Sequence, residues 1–183
     1  MTSTGTVGGD ERIRLFCALR LPDRVLDCLE RWQRDLAGGR PVGRENMHVT
    51  LAFLGQRPRA DLEPVRAELR AAAAAATEPL FLAPERYRET RSVGMLVLGD
   101  EQHRALALAR DLHRRLERLG IYEPEARRWL PHVTVLRFRQ RPRLQPELPQ
   151  LAPFAPSDAA VYLSRLSPHG AQYEVLDSVA LGG

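Results

Sequence analysis

Met47-His48-Val49-Thr50-Leu51 and Pro131-His132-Val133-Thr134-Val135 repeat one short pattern, an imidazole and a hydroxyl two residues apart in an apolar, β-branched run. Such runs favour extended backbone, in which residues two apart share a face. His48 and Thr50 are therefore expected to project together, with Val49, Leu51 and Phe53 directed oppositely into the core. His132 and Thr134 repeat this against Val133 and Val135. With five histidines and seven threonines in 183 residues, two His-x-Thr motifs arise by chance in roughly 0.02 of such sequences. The repeat predicts two related modules whose paired side chains can clasp one tetrahedral anion.

Around the motifs, Ile13, Leu15, Cys17 and Leu19 alternate with Arg12, Arg14, Phe16 and Ala18, a strand that stops at Pro22. Asp23 is placed to cap a helix through Val25, Leu29, Trp32 and Leu36, closed by Gly38-Gly39, with Trp32 facing the core. Residues 47–54 read as a strand ending at Gly55, and Asp61 starts a second helix with Pro64 in its first turn. Residues 80–88 and 93–98 read as strands, and Asp100 caps a third helix that Gly120 ends. Strands at 129–138, 159–166 and 172–179 complete the chain. About eight strands and three helices are too few helices to cover both faces of a parallel sheet. The expected fold is α+β and bilobal: two pseudo-symmetric, mostly antiparallel sheets, helices outside, and a central cleft with one motif per lobe. Residues 1–10, small and polar, read as a flexible leader, and 11–183 as a single bilobal domain.

Composition narrows the chemistry. All 27 residues counted as Lys+Arg are arginine. Without a primary side-chain amine the chain cannot form a lysyl-nucleotide intermediate, a Schiff base or a lysine-based phosphate loop, which excludes an ATP-dependent nucleotide ligase. The net charge of +4 is compatible with an anionic partner without requiring one. Cys17 and Cys28 have neither metal-ligand nor redox spacing and are expected to be buried free thiols in a reducing, cytoplasmic setting. No stretch resembles a signal peptide or a membrane span. Neither motif brings a neighbouring Cys, Asp or second His, so no metal and no cofactor are expected.

The motifs, together with Arg14-Leu15-Phe16-Cys17-Ala18-Leu19 before Leu21-Pro22, Glu45 to Gly55, and Leu163-Ser164-Arg165-Leu166 with Gly170 and Tyr173, occur in an order that resembles the two-histidine phosphoesterases, in particular LigT-like RNA 2′,3′-cyclic phosphodiesterases. That resemblance implies a V-shaped cleft with one motif on each wall, and hydrolysis of RNA 2′,3′-cyclic phosphate termini to a 2′-phosphomonoester. It implies His132 as proton acceptor activating water, His48 as proton donor to the departing 3′-oxygen, and Thr50, Thr134 and Arg137 as substrate-binding residues. Strict alternation would aim Arg137 away from His132, so a bulge or twist after Thr134 has to intervene.

Other readings stay open at this stage. The same histidines could run the reverse reaction, joining a cyclic phosphate to a 5′-hydroxyl without ATP, or the fold could bind RNA ends without catalysis. Arg137, Arg139, Arg141 and Arg143 form either a stripe for the RNA backbone or a solvated edge. Phe16 and Tyr173 are either core residues or stacking surfaces. His103 and His113 read as helix-surface residues and His169 as part of a turn. A monomer with no protein partner is the default.

Overall fold

The computed structural model describes residues 11–167 and 170–181; the segment read as a leader and His169 lie outside the described residues. In chain order the elements are β1 (Arg12–Arg20), α1 (Asp23–Gln33), β2 (Arg40–Pro41), β3 (His48–Pro58), α2 (Leu62–Ala75), β4 (Ala83–Glu89), β5 (Val93–Gly99), α3 (Arg104–Arg118), β6 (His132–Arg137), β7 (Asp158–Ser167) and β8 (Gly170–Val179). The strands form an antiparallel sheet in the order β4-β5-β6-β3-β1-β7-β8, with β2 beside β6.

This is the expected α+β architecture, with one refinement. The two expected sheets are halves of one sheet, and the β3–β6 ladder between them carries a single registered pair, Val49 with Val133. The motifs therefore run antiparallel about their central valines, which sets each histidine toward the other motif's threonine.

Alternation along the strands separates two faces. Leu15, Cys17 and Leu19 of β1, Val49 and Leu51 of β3, and Val133 and Val135 of β6 meet Val25 and Leu29 of α1, Val65 and Leu69 of α2, and Leu108, Leu112 and Leu116 of α3 in one continuous core. The opposite face carries a small second cluster, Phe16, Ala18, Ala160 and Tyr162, with Tyr173 packed on it. Helices cover the first face, leaving the second for the cleft. Burial within the first core pushes the Cys17 thiol up to about 12, so it stays protonated and unreactive. Cys28 is only half-buried, correcting the expectation of two buried thiols.

Several boundaries differ from expectation for identifiable reasons. Asp23 is the first residue of α1 and makes no capping bond; its carboxylate pairs with Arg44 at 2.8 Å instead. α1 ends at Gln33, whose buried amide bonds to the Val42 and Val135 carbonyls, and Leu36 reaches the core from beyond the turn that follows. Asp61 also makes no cap, and pairs with Arg57 at 2.8 Å. Asp100 does cap α3, accepting the Ala105 and Leu106 N–H groups at 3.3 and 2.8 Å. β3 does not stop at Gly55 but continues to Pro58, Gly55 taking the left-handed backbone (φ 68°) beside a bulge at Leu54.

Strand 80–88 narrows to an isolated bridge at Leu82 before β4. Strand 129–138 narrows to β6, because Pro131 has no N–H and the Leu130 carbonyl accepts from the His132 ring. The arginine stripe does not form. β6 ends at Arg137, Arg141 pairs with the buried Glu89 carboxylate at 3.1 Å, and Glu89 also accepts the Arg143 and Leu144 N–H groups at 2.9 and 2.8 Å.

Candidate active site

Both motif strands break period-two alternation immediately after the threonine. On β3, Cys17 pairs with Ala52 and Ala18 with Thr50, leaving Leu51 as an extra residue. On β6, Gly94 pairs with Leu136 and Met95 with Thr134, leaving Val135 as the extra residue. An extra residue resets which side the following side chains face. Arg137 thereby turns to the same side as His132 and Thr134. Phe53 turns the other way from the reading above: it pairs with Phe16 across the cleft-side face and is 45% exposed, not directed into the core.

Each bulge is held from behind by a helix side chain. The Val135 carbonyl accepts the Gln33 amide of α1 at 2.6 Å and the Val42 N–H at 3.0 Å. The Leu51 carbonyl accepts the His113 ring of α3 at 2.7 Å. His113, read as a surface residue, is thus half-buried, stacked on Tyr122 at 4.4 Å, and held by burial below the usual imidazole range. Trp129 adds a third tie, its indole N–H donating to the Thr50 carbonyl at 3.0 Å. Trp32, packed on the core as expected, donates its indole N–H to the Glu147 carbonyl.

On the open face His48, Thr50, His132, Thr134 and Arg137 line one recess of about 140 Å³, together with Val42, Asn46 and Tyr173. All five residues singled out from the motifs and their extension are brought together, and no carboxylate or thiol is among the eight lining residues described. Hydroxyl, imidazole, amide and guanidinium groups in so small a space suit a compact oxyanion.

The two imidazoles sit in unlike surroundings. The His48 ring packs against Phe16 (4.9 Å between centroids), Tyr173 (5.4 Å) and Tyr162 (5.7 Å). Burial in this cage pushes His48 down to about 4; the Asn46 backbone opposes the shift, and the charges of His132 and Arg137 add to it. His132 instead has a fixed tautomer, its Nδ1–H donating to the Leu130 carbonyl at 2.8 Å, which leaves Nε2 as the acceptor. Tyr162 is pushed up to about 12 by burial and remains a neutral phenol.

Phe16 is 2% exposed and stacked on Tyr162, so it serves as wall rather than open platform, while Tyr173 reaches the recess. His103 is exposed just before α3 and takes no part. Val42, Tyr162 and Gln33 have no part in the sequence reading, Asn46 enters it only within the Glu45 to Gly55 stretch, and His113 only as a surface residue. Only Asn46 carried a signal, its place two residues before His48.

The LigT like Phosphoesterase family model matches residues 19–81. The RNA 2′,3′-cyclic phosphodiesterase of Methanocaldococcus jannaschii is 21% identical over 178 residues, covering 90% of this chain and 98% of that protein. A solved structure from Thermus thermophilus superposes with a TM-score of 0.77 at 27% identity, covering 93% of this chain and 99% of that one. E. coli LigT in its apo form superposes with a TM-score of 0.73 at 25% identity, covering 95% and 100%.

Proposed function

We propose that this chain, which is similar to the LigT-like two-histidine phosphoesterases, hydrolyses RNA 2′,3′-cyclic phosphate termini to 2′-phosphomonoesters by acid–base catalysis with its two histidines. The observation that carries this reading is the convergence of both motifs and Arg137 on one recess.

In the proposed reaction His132 takes a proton from water at Nε2, the nitrogen left free by the Nδ1–H bond to Leu130. The water attacks phosphorus, the bond to the 3′-oxygen breaks, and His48 protonates that oxygen. Thr50 and Thr134 donate hydroxyl hydrogen bonds to the non-bridging oxygens, and Arg137 offsets their charge. The role assigned to His48 also accounts for its surroundings. Burial pushes the His48 imidazole down to about 4, and an anionic substrate beside it favours the protonated form that a proton donor needs. The acid–base groups are then the chain's own, and turnover is expected to survive EDTA.

The test is incubation with an oligoribonucleotide ending in a 2′,3′-cyclic phosphate, followed by mapping of the product phosphate. A 2′-phosphomonoester supports the proposal; an unchanged end, or a 3′-phosphate, overturns it. The pH dependence supplies a second check. The alkaline limb of kcat, which reports the loaded complex, should lie above that of kcat/KM, which reports the free enzyme. Coincident limbs would remove His48 as a donor recharged by substrate.

A further inference from the structure

Resting on that proposed function, we infer that Arg14 and Phe53 form a second subsite that takes the nucleotide preceding the cyclic phosphate, so that the natural substrate is an oligonucleotide rather than a mononucleotide. Phe53 is the next cleft-side residue of β3 after Thr50, a position it holds only because of the Leu51 bulge. It lies outside the recess lining, where the aromatic wall available to the terminal nucleoside is Tyr173. Phe53 is 45% exposed, whereas Phe16 across the strand pair is enclosed by His48, Tyr162 and Tyr173.

Arg14 supplies the second half. Its guanidinium carbon stands 4.8 Å from the centre of the Phe53 ring, a cation–π pair on the cleft side. Its Nε is buried without a hydrogen-bond partner, and among the described residues Arg14 makes no ion pair. A planar cation laid on an exposed ring is the combination that stacks a base while neutralising a phosphodiester. A nucleoside 2′,3′-cyclic phosphate carries its only phosphate in the recess and has none left for Arg14. A longer chain has a second anion and a second base. The two sites are one cleft-side step apart: Thr50 and Phe53 face Ala18 and Phe16, two residues of β1 that span roughly 7 Å of strand rise.

The experiment compares kcat/KM on a short oligoribonucleotide ending in a 2′,3′-cyclic phosphate with that on a nucleoside 2′,3′-cyclic phosphate, for the native chain, Phe53→Ala and Arg14→Gln. Loss of one base–aromatic stack lowers the oligonucleotide value about 5- to 150-fold, while the nucleoside value changes less than about twofold. Arg14→Gln also flattens the salt dependence of oligonucleotide binding by about 0.7 in logarithmic slope, the share of one phosphate contact on a single strand. Equal losses on both substrates, or none on either, overturn the subsite.

Binding is read in parallel, by displacement of a fluorescent oligonucleotide with a terminal 2′-phosphate. Failure to hydrolyse either substrate would sink the proposed function, yet the binding arm would still report whether Phe53→Ala and Arg14→Gln selectively weaken the longer ligand. Phe53→Leu, which keeps an apolar side chain but no ring, stands in if the alanine variant does not fold.

Discussion

From histidine to bulge the two motif strands are nearly interchangeable. Each presents His-Val-Thr, gains an extra residue after the threonine, and has the bulged carbonyl held by a helix side chain, His113 for Leu51 and Gln33 for Val135. Five positions after the histidine they diverge: β6 presents Arg137 and β3 presents Phe53. The histidines diverge as well, His132 held by a 2.8 Å bond to the Leu130 carbonyl and His48 enclosed by aromatic rings. A duplicated backbone has thus been given one wall suited to charge and one suited to stacking, and a cleft that grips an asymmetric ligand needs that difference.

The strongest test of this contrast removes the imidazoles in turn. His48→Ala and His132→Ala are each expected to lower turnover of a cyclic-phosphate oligonucleotide by about 10²- to 10⁴-fold, measured under saturating substrate. A variant that retained near-native turnover would take that wall out of the chemistry.

Stability against pH probes the enclosure of His48. The native state binds its proton only below about 4, and the unfolded chain near the ordinary 6.5. Between those values the unfolded state holds more protons, so stability falls as pH drops from about 6.5 toward 4 and levels off below; the ceiling is about 3 kcal/mol. His113, lowered in the same direction by burial, adds to the slope. Urea midpoints at neutral and acid pH should converge in His48→Gln relative to the native chain; an unchanged slope would mean that the enclosure is looser than it looks.

Arg137→Ala should reduce kcat/KM by about 10- to 100-fold, the value of one charge-assisted hydrogen bond of roughly 1.5–3 kcal/mol, on mononucleotide and oligonucleotide alike. Arg137→Lys should recover only part of this, because a point charge lacks the planar fork. The smallest effects are expected at the supports. Gln33→Leu and His113→Leu each leave a buried carbonyl with one donor fewer, at about 1–3 kcal/mol of stability. If the bulges aim the walls independently, the first weakens both substrates through Arg137, and the second weakens chiefly the longer one through Phe53. Identical substrate profiles would break the comparison.

Much of this was legible beforehand. A duplicated His-x-Thr in β-branched surroundings predicts the two motif strands and the residues that share the recess, and the scarcity of helices beside about eight strands predicts the antiparallel α+β arrangement. Bulges were the obstacle. Alternation is a local rule, and an extra residue is decided by partners remote in sequence: Leu51 by an imidazole 62 positions away, Val135 by an amide 102 positions away. Phe53 was misplaced for that reason. Arg137 was flagged only because family likeness and alternation disagreed over it. His113 looked like a surface residue because its sequence neighbours are charged, yet its ring reaches the Leu51 carbonyl and stacks on Tyr122. Asp23 and Asp61 look like caps in sequence, but nearby arginines claim their carboxylates.

The single rung between Val49 and Val133 has a mechanical meaning. It is the narrowest seam in the sheet, with the site straddling it. A phosphate gripped by Thr50 on one side and Thr134 on the other would act as a staple across that seam. Inorganic phosphate should then raise the melting temperature by stiffening the join between the halves, and hydrogen exchange should slow first at the amides that flank the two valines.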